Sequence, residues 1–170
     1  GNYIAGPGTA MALGDLGAEV IKIESLEGDA ARHTGPFGLA MLHAYNRDKL
    51  SVALDLRAPQ GLDAARRLIA RADVLVQNLR PGALDALGLG ADALRTAQPA
   101  LVHVSIAGFP AGAPSRDRPG YDIAAQAESG LMSVTGDPQG LPQKVGATII
   151  DAATVQVAAQ AVLAALLRRT

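Results

Sequence analysis

The sequence predicts an α/β fold, Rossmann-like, with a mainly parallel sheet and flanking helices. Short apolar, β-branched runs recur along it, amphipathic segments separate them, and Gly or Pro punctuates the joins. Residues 20–23, 52–56, 74–76 and 101–106 read as buried strands. Between them, residues 7–16 carry Met11, Leu13 and Leu16, with Pro7 suited to a first turn and Gly17 to a stop. Residues 59–72 place Leu62, Ala65, Leu68 and Ile69 on one helical face and Asp63, Arg66, Arg67 and Arg71 on the other. Residues 91–97 form a shorter helix. Alternating strands and helices imply right-handed crossovers. After Gly108 the pattern changes. A Pro/Gly-rich stretch leads to a helix over 121–131, then a loop, the apolar run 147–150 and a long helix after Asp151.

Composition narrows the chemistry. The 170 residues are 49% hydrophobic and 18% charged with a net charge of −1, an ordinary globular profile. No cysteine is present, which excludes disulfides, a thiolate nucleophile and cysteine metal sites. His33, His43 and His103 lack metal-ligand spacing, so no metal is expected, and His103 reads as structural. Balanced charge and 3% aromatic residues argue against nucleic-acid binding. The amino terminus has no basic segment followed by an apolar run. The stretch 152–167 contains Thr154, Gln156 and Gln160 and falls short of the ~20 residues a spanning helix needs. A cytoplasmic protein without a membrane partner is the expectation.

Four groups of residues carry candidate chemistry. Gly6-Pro7-Gly8 with Glu24 imitates a dinucleotide fingerprint, but Met11 stands at the third glycine position, and a turn feeding a helix is the plainer reading. Asp55-Leu56-Arg57 and Gln77-Asn78-Leu79-Arg80-Pro81-Gly82 lie at carboxyl ends of predicted strands, where open α/β sheets bind ligands. There Arg57 and Arg80 suit a phosphate and Asn78 a polar ligand group. Alternatively, Asp55 caps the next helix and Arg80-Pro81-Gly82 is only a turn. Asp151, after the apolar run 147–150, is either an N-cap or a rigidly held, ionised carboxylate able to attack an acyl carbon. Tyr121, in Pro119-Gly120-Tyr121-Asp122, is a pocket wall or a surface cap.

Together these residues resemble the class III CoA-transferases, the family of formyl-CoA transferase, carnitine CoA-transferase and α-methylacyl-CoA racemase. The matching stretches run in order: Ala5-Gly6-Pro7, then Asp15 through Glu24, then Gly28-Asp29 with Arg32. They continue through Asn46-Arg47-Asp48-Lys49-Leu50-Ser51, Leu54-Asp55-Leu56, Ala72-Asp73-Val74 and Asn78-Leu79-Arg80-Pro81-Gly82. Gly108-Phe109, Pro119-Gly120-Tyr121-Asp122, Gln126 and Gly146 to Asp151 complete them.

The resemblance implies that residues 1–170 are the N-terminal part of a CoA-binding large domain. The family's opening strand and C-terminal half lie outside them, and the chain alone is expected to be inactive. It implies coenzyme A or acyl-CoA and a small carboxylic acid as ligands, an interlocked homodimer, and Asp151 as the nucleophile. The CoA contacts it implies are Ile4, Ala5, Leu54, Arg57, Asn78, Leu79, Arg80 and Tyr121. Within the family, racemases pair a histidine with the aspartate. Tyrosine, with an ordinary pKa of ~10, is poorly matched to that proton transfer, so transferase leads racemase or isomerase. A non-catalytic CoA-binding module and a nicotinamide-dependent oxidoreductase stand as further alternatives.

Overall fold

The structure, a computed structural model, describes residues 1–110 and 112–169. Helix α1 (Ala5–Asp15) leads into strand β1 (Val20–Glu24), and α2 (Gly35–Tyr45) crosses over to β2 (Lys49–Ala53). Helix α3 (Pro59–Ile69), β3 (Val74–Gln77), α4 (Ala91–Ala97) and β4 (Val102–Ser105) follow. Helices α5 (Asp122–Glu128) and α6 (Ile149–Arg169) end the chain.

All pairing between these strands is parallel, as the alternation predicted. Val20 lies opposite Lys49 in one pair and Val74 opposite Val102 in the other. The expected single sheet is instead two separate two-stranded sheets, β1–β2 and β3–β4. Periodicity reveals that strands exist; which edges meet depends on helices packed from elsewhere in the chain. The β3–β4 pair illustrates this, because adjacent side chains on a strand point to opposite faces. Leu75 packs with Ile69, Leu89, Leu94 and Leu101 from the α3 and α4 side. Val74, Val102 and Val104 pack with Leu13 of α1 and Ala159 and Val162 of α6. The result is a pair of parallel strands covered on both faces, which fits their mainly apolar sequence. His103 sits between Val102 and Val104 with its Nε2 buried and unpartnered. Burial pushes its pKa down, which favours a neutral structural imidazole.

Several boundaries differ from expectation. β2 starts and ends three residues early, so Leu54 and Asp55 fall beyond it. Helix α2 occupies a segment to which the sequence pattern assigns no element. Gly38 lets the helix close on the short 3-10 turn Ala30–His33, where a Cβ would stand 2.0 Å from the Ala31 carbonyl oxygen. The long helix starts before Asp151, inside the apolar run 147–150: Ile149 and Ile150 already belong to α6.

Helix α6 spans 21 residues, longer than its apolar stretch suggested, and by length and composition alone it is apolar enough to cross a membrane. Its buried stripe, Val155, Ala159 and Val162, nevertheless packs against the protein at helical spacing. The Arg169 guanidinium ties its end to Asp73 at 2.7 Å and to the Ala100 carbonyl at 2.8 Å. Leu13→Ala should lower stability by about 2–5 kcal/mol, read as a reduced urea midpoint at unchanged slope, since it empties the centre of the α1–α6 contact.

Candidate functional site

Asp151 is the third residue of α6, not its N-cap. The capping role falls to a neighbour in space, Asp122, at the start of α5. The Asp122 Oδ1 accepts the backbone N–H groups of Ile150 at 2.8 Å and Asp151 at 3.0 Å. A helix start leaves such donors unsatisfied, and a carboxylate there also complements the helix dipole. Gln126, 1% exposed, locks the arrangement. Its Nε2 donates to Asp122 Oδ2 at 2.6 Å and to the Ala147 carbonyl at 3.2 Å, while its Oε1 accepts the Val145 N–H at 2.8 Å. Both ends of the buried amide are therefore used.

This clasp sets the electrostatics of Asp151. Burial pushes its carboxyl up from the ordinary value, the Asp122 charge adds to the effect, and the pKa reaches about 6. Asp151 is half-buried and remains reachable. Its neighbours Ile150 and Thr154 line an open groove of about 440 Å³ that runs from Val104 and Ile106 along the Val157 and Ala161 side of α6. The lining is mostly apolar.

Tyr121 immediately precedes Asp122 and is exposed. The stretch before it is pinched shut by glycines: a Cβ on Gly108 would lie 2.1 Å from the Gly120 Cα. No side chain fits between the two backbones, so the end of β4 and the start of α5 are fixed together. Arg118 adds a cation–π contact over Phe109 at 4.7 Å and an ion pair with Glu128 at 2.5 Å.

A second group forms at the end of β3. Asn78 makes a two-way pair with Asn2, its Oδ1 accepting the Asn2 N–H and its Nδ2 donating to the Asn2 carbonyl, both at 2.9 Å. Ile4 and Ala5, both buried, lie in the chain between Asn2 and Gly6, which both meet Asn78. The Leu79 N–H donates to Gln77 Oε1 at 2.8 Å, and exposed Arg80 opens a turn closed by the Ala83 N–H on its carbonyl at 3.1 Å. Leu54 and Arg57 stand after β2, on the other strand pair. The Leu54 N–H extends the ladder to the Glu24 carbonyl at 2.9 Å, and Arg57 is exposed. Asp55 does not cap α3. Its Oδ1 accepts the Arg57 N–H at 2.9 Å in a local turn, and no side chain caps that helix.

The dinucleotide reading of Gly6-Pro7-Gly8 is overturned. Both glycines lie in the first turn of α1 and serve close packing: a Cβ on Gly6 would meet Asn78 Oδ1 at 2.6 Å, and one on Gly8 would meet Val155 Cγ2 at 2.5 Å. Glu24, the supposed ribose acid, is spent on Lys22 at 3.8 Å and Arg32 at 3.5 Å. Sequence reasoning assigned no role to Asp122, Gln126, Lys22, Asp29 or Lys49, although all lie in motifs it quoted. Some of their partners are distant in the chain, as with Lys49 and the Pro7 carbonyl or Asp122 and the Ile150 N–H, and the nearer ones match no catalytic or metal-ligand spacing. Among the described residues, no group of three or more His, Cys, Asp or Glu side chains is placed to hold a metal ion.

Comparison with known proteins identifies the family and the fold. The family described as CoA-transferase family III matches residues 1–170. Succinate–glutarate CoA-transferase of Agrobacterium fabrum is 39% identical, the alignment covering 96% of this chain and 44% of that protein. Human succinyl-CoA:glutarate CoA-transferase is 40% identical over 98% of this chain and 39% of that protein. The crystal structure of a CAIB/BAIF family protein from Brucella suis superposes with a TM-score of 0.94 at 40% identity, covering 99% of this chain and 47% of the other. The chain thus spans less than half the length of these relatives. With the family matched from end to end and the fold shared at 40% identity, the chain belongs to CoA-transferase family III.

Proposed function

We propose that this chain carries the CoA-binding crevice and the nucleophile of an enzyme that moves CoA from an acyl-CoA to a carboxylic acid. The observation that carries the reading is Asp151, a half-buried acid whose backbone is fixed in the first turn of α6, next in sequence to Ile150 of an apolar groove. At neutral pH, above its pKa of about 6, it is ionised yet poorly solvated, a combination that suits a nucleophile.

In the proposed sequence, an Asp151 oxygen attacks the thioester carbonyl carbon, and the carbon–sulfur bond breaks. This gives an acyl-aspartyl anhydride and CoA thiolate. The thiolate attacks the Asp151 carbonyl carbon, releasing the donor acid and leaving an aspartyl-CoA thioester. The acceptor carboxylate then attacks that thioester and expels CoA thiolate, which takes the acyl group from the new anhydride and frees Asp151. One thioester and one carboxylate are consumed and formed, so no net proton or electron is needed. The ligand contacts proposed are Ile4 and Ala5 beside Asn78, Leu79 along the CoA path, Leu54 against the adenine, Arg57 and Arg80 toward phosphate, and Tyr121 over the reacting end.

The relatives named for activity are CoA-transferases, which supports transfer over racemisation. We place turnover in a homodimer that includes the additional length present in those relatives. The 170 residues alone are proposed to bind CoA without completing the cycle, because exclusion of water from the anhydride requires closure over this open groove.

Two measurements test the reading. Calorimetry with CoA should give saturable binding to this chain, weakened about tenfold in Arg57→Ala or Asn78→Ala, the scale of one lost hydrogen bond to a charged or buried group. In a chimaera that joins residues 1–170 to the remaining half of the Agrobacterium relative, hydroxylamine added with acyl-CoA should convert Asp151 to its hydroxamate, expelling CoA thiolate or the donor acid, and Asp151→Asn should abolish that adduct. An undiminished adduct in that variant overturns the mechanism.

The pH dependence has a fixed sign. Because the folded-state pKa lies above the unfolded value, the native chain binds the Asp151 proton more tightly between about pH 4 and 6. Stability contributed by that proton is present at low pH and is lost as pH rises through 6, while nucleophilic activity appears over the same interval. Carboxyl-carbon NMR should find the Asp151 midpoint near 6. In Asp122→Asn the midpoint should fall, because the neighbouring charge is gone.

A further inference from the structure

Behind the first turn of α1 lies a buried polar cluster that the proposed reaction does not use. Lys22 of β1 is 8% exposed and Asp29 1% exposed, and they form a close ion pair. Lys22 Nζ also donates to Asn46 Oδ1 at 2.8 Å. The same oxygen accepts from Lys49 Nζ at 3.2 Å, and the Asn46 Nδ2 is anchored on the Leu42 carbonyl at 2.9 Å, which fixes the amide's orientation. Lys49 Nζ makes two further bonds, to the Pro7 carbonyl and to the Tyr45 carbonyl, each at 2.6 Å. Its three protons are thus spent on three acceptors, one in the first turn of α1 and two at the end of α2.

The cluster is expensive to bury. Burial pushes the Lys49 ammonium down, the nearby Lys22 charge pushes it further, and it titrates at about 8. Asp29 is pushed up by burial, but the Lys22 ammonium and the Ala31 N–H outweigh this and hold it below the ordinary carboxylate value. Apolar residues of similar volume often serve stability as well as a buried ion pair does. What the charges add here is a fixed position for the Pro7 carbonyl.

That position matters because the same turn has two other neighbours. Gly6 abuts Asn78, and Gly8 abuts Val155, one helical turn beyond Asp151 on α6. We propose that Lys49 is a positioning residue: its three-way clamp sets the first turn of α1 between Asn78 and the Asp151 helix, and thereby holds Ile4 and Ala5 in register for CoA. The inference rests on the reading of Ile4, Ala5 and Asn78 as the CoA path.

Lys49→Met removes all three donors and Lys49→Gln keeps two. Backbone amide exchange and CoA calorimetry on the 170-residue chain separate a positioning role from a merely structural one. The expected result is a loss of protection at Gly8 and Thr9, with α3, β3 and β4 unchanged, together with CoA binding weakened about tenfold in Lys49→Met and less in Lys49→Gln. If the methionine variant does not fold, the glutamine variant reads the same amides and the same affinity. Unchanged protection at Gly8 and Thr9, or protection lost equally in every element, overturns the clamp. Unchanged CoA affinity with a loosened turn overturns its role in binding. If the parent chain itself does not bind CoA, the CoA path has failed, and the exchange pattern still decides whether Lys49 holds the turn.

Discussion

A helix that begins inside a protein must find acceptors for its first N–H groups, and at α6 the acceptor is a carboxylate from another helix. Asp122 takes the N–H groups of Ile150 and Asp151, so the longest helix starts where α5 allows it to start. Much of the architecture hangs on that requirement. α6 supplies Val155, Ala159 and Val162 to the face of the β3–β4 sheet that α1 also covers. Were its start to slip, those three residues would rotate away from the sheet, and Asp151 would rotate with them. The capping carboxylate is also a charge, so the contact that fixes the position of Asp151 raises its proton affinity.

Close approach is the second constraint. The first turn of α1 is confined by Asn78 on one side and Val155 on another, and glycine at positions 6 and 8 is what admits it. Lys49 closes the third side through the Pro7 carbonyl. Three distant stretches of the chain, β2, the end of β3 and α6, therefore meet at three residues of one helix turn, Gly6, Pro7 and Gly8. The buried charges of Lys22 and Asp29 and the half-buried one of Lys49 add little stability at such a meeting point, and what they provide is geometric definition.

Local pattern revealed the parts whose causes are local. The four strands show in their β-branched runs, and α3 in its two-faced spacing of Leu62, Ala65 and Ile69 against Asp63 and Arg66. Helix α2 was hidden because its packing uses Gly38, a residue whose value is the absence of a side chain. β2 was placed three residues late because Val52 to Leu56 looks more strand-like than Lys49 to Ala53, whose polar members earn their place through Lys49's contacts with distant carbonyls. Asp151 was legible as a candidate through its own position and through resemblance. Its partner Asp122, 29 residues away, was not, because nothing in either local sequence encodes the turn that joins them. Gly6-Pro7-Gly8 misled for the related reason that glycines for phosphate approach and glycines for side-chain approach look alike in a sequence.

The contact of Gly108 with Gly120 closes residues 109–119 into a loop whose two ends are a single fixed point. Arg118, just before that neck, reaches past it to Glu128 at the far end of α5. The helix that begins with Asp122 is therefore held at both ends from the same short stretch, by a backbone contact at its start and an exposed ion pair at its finish.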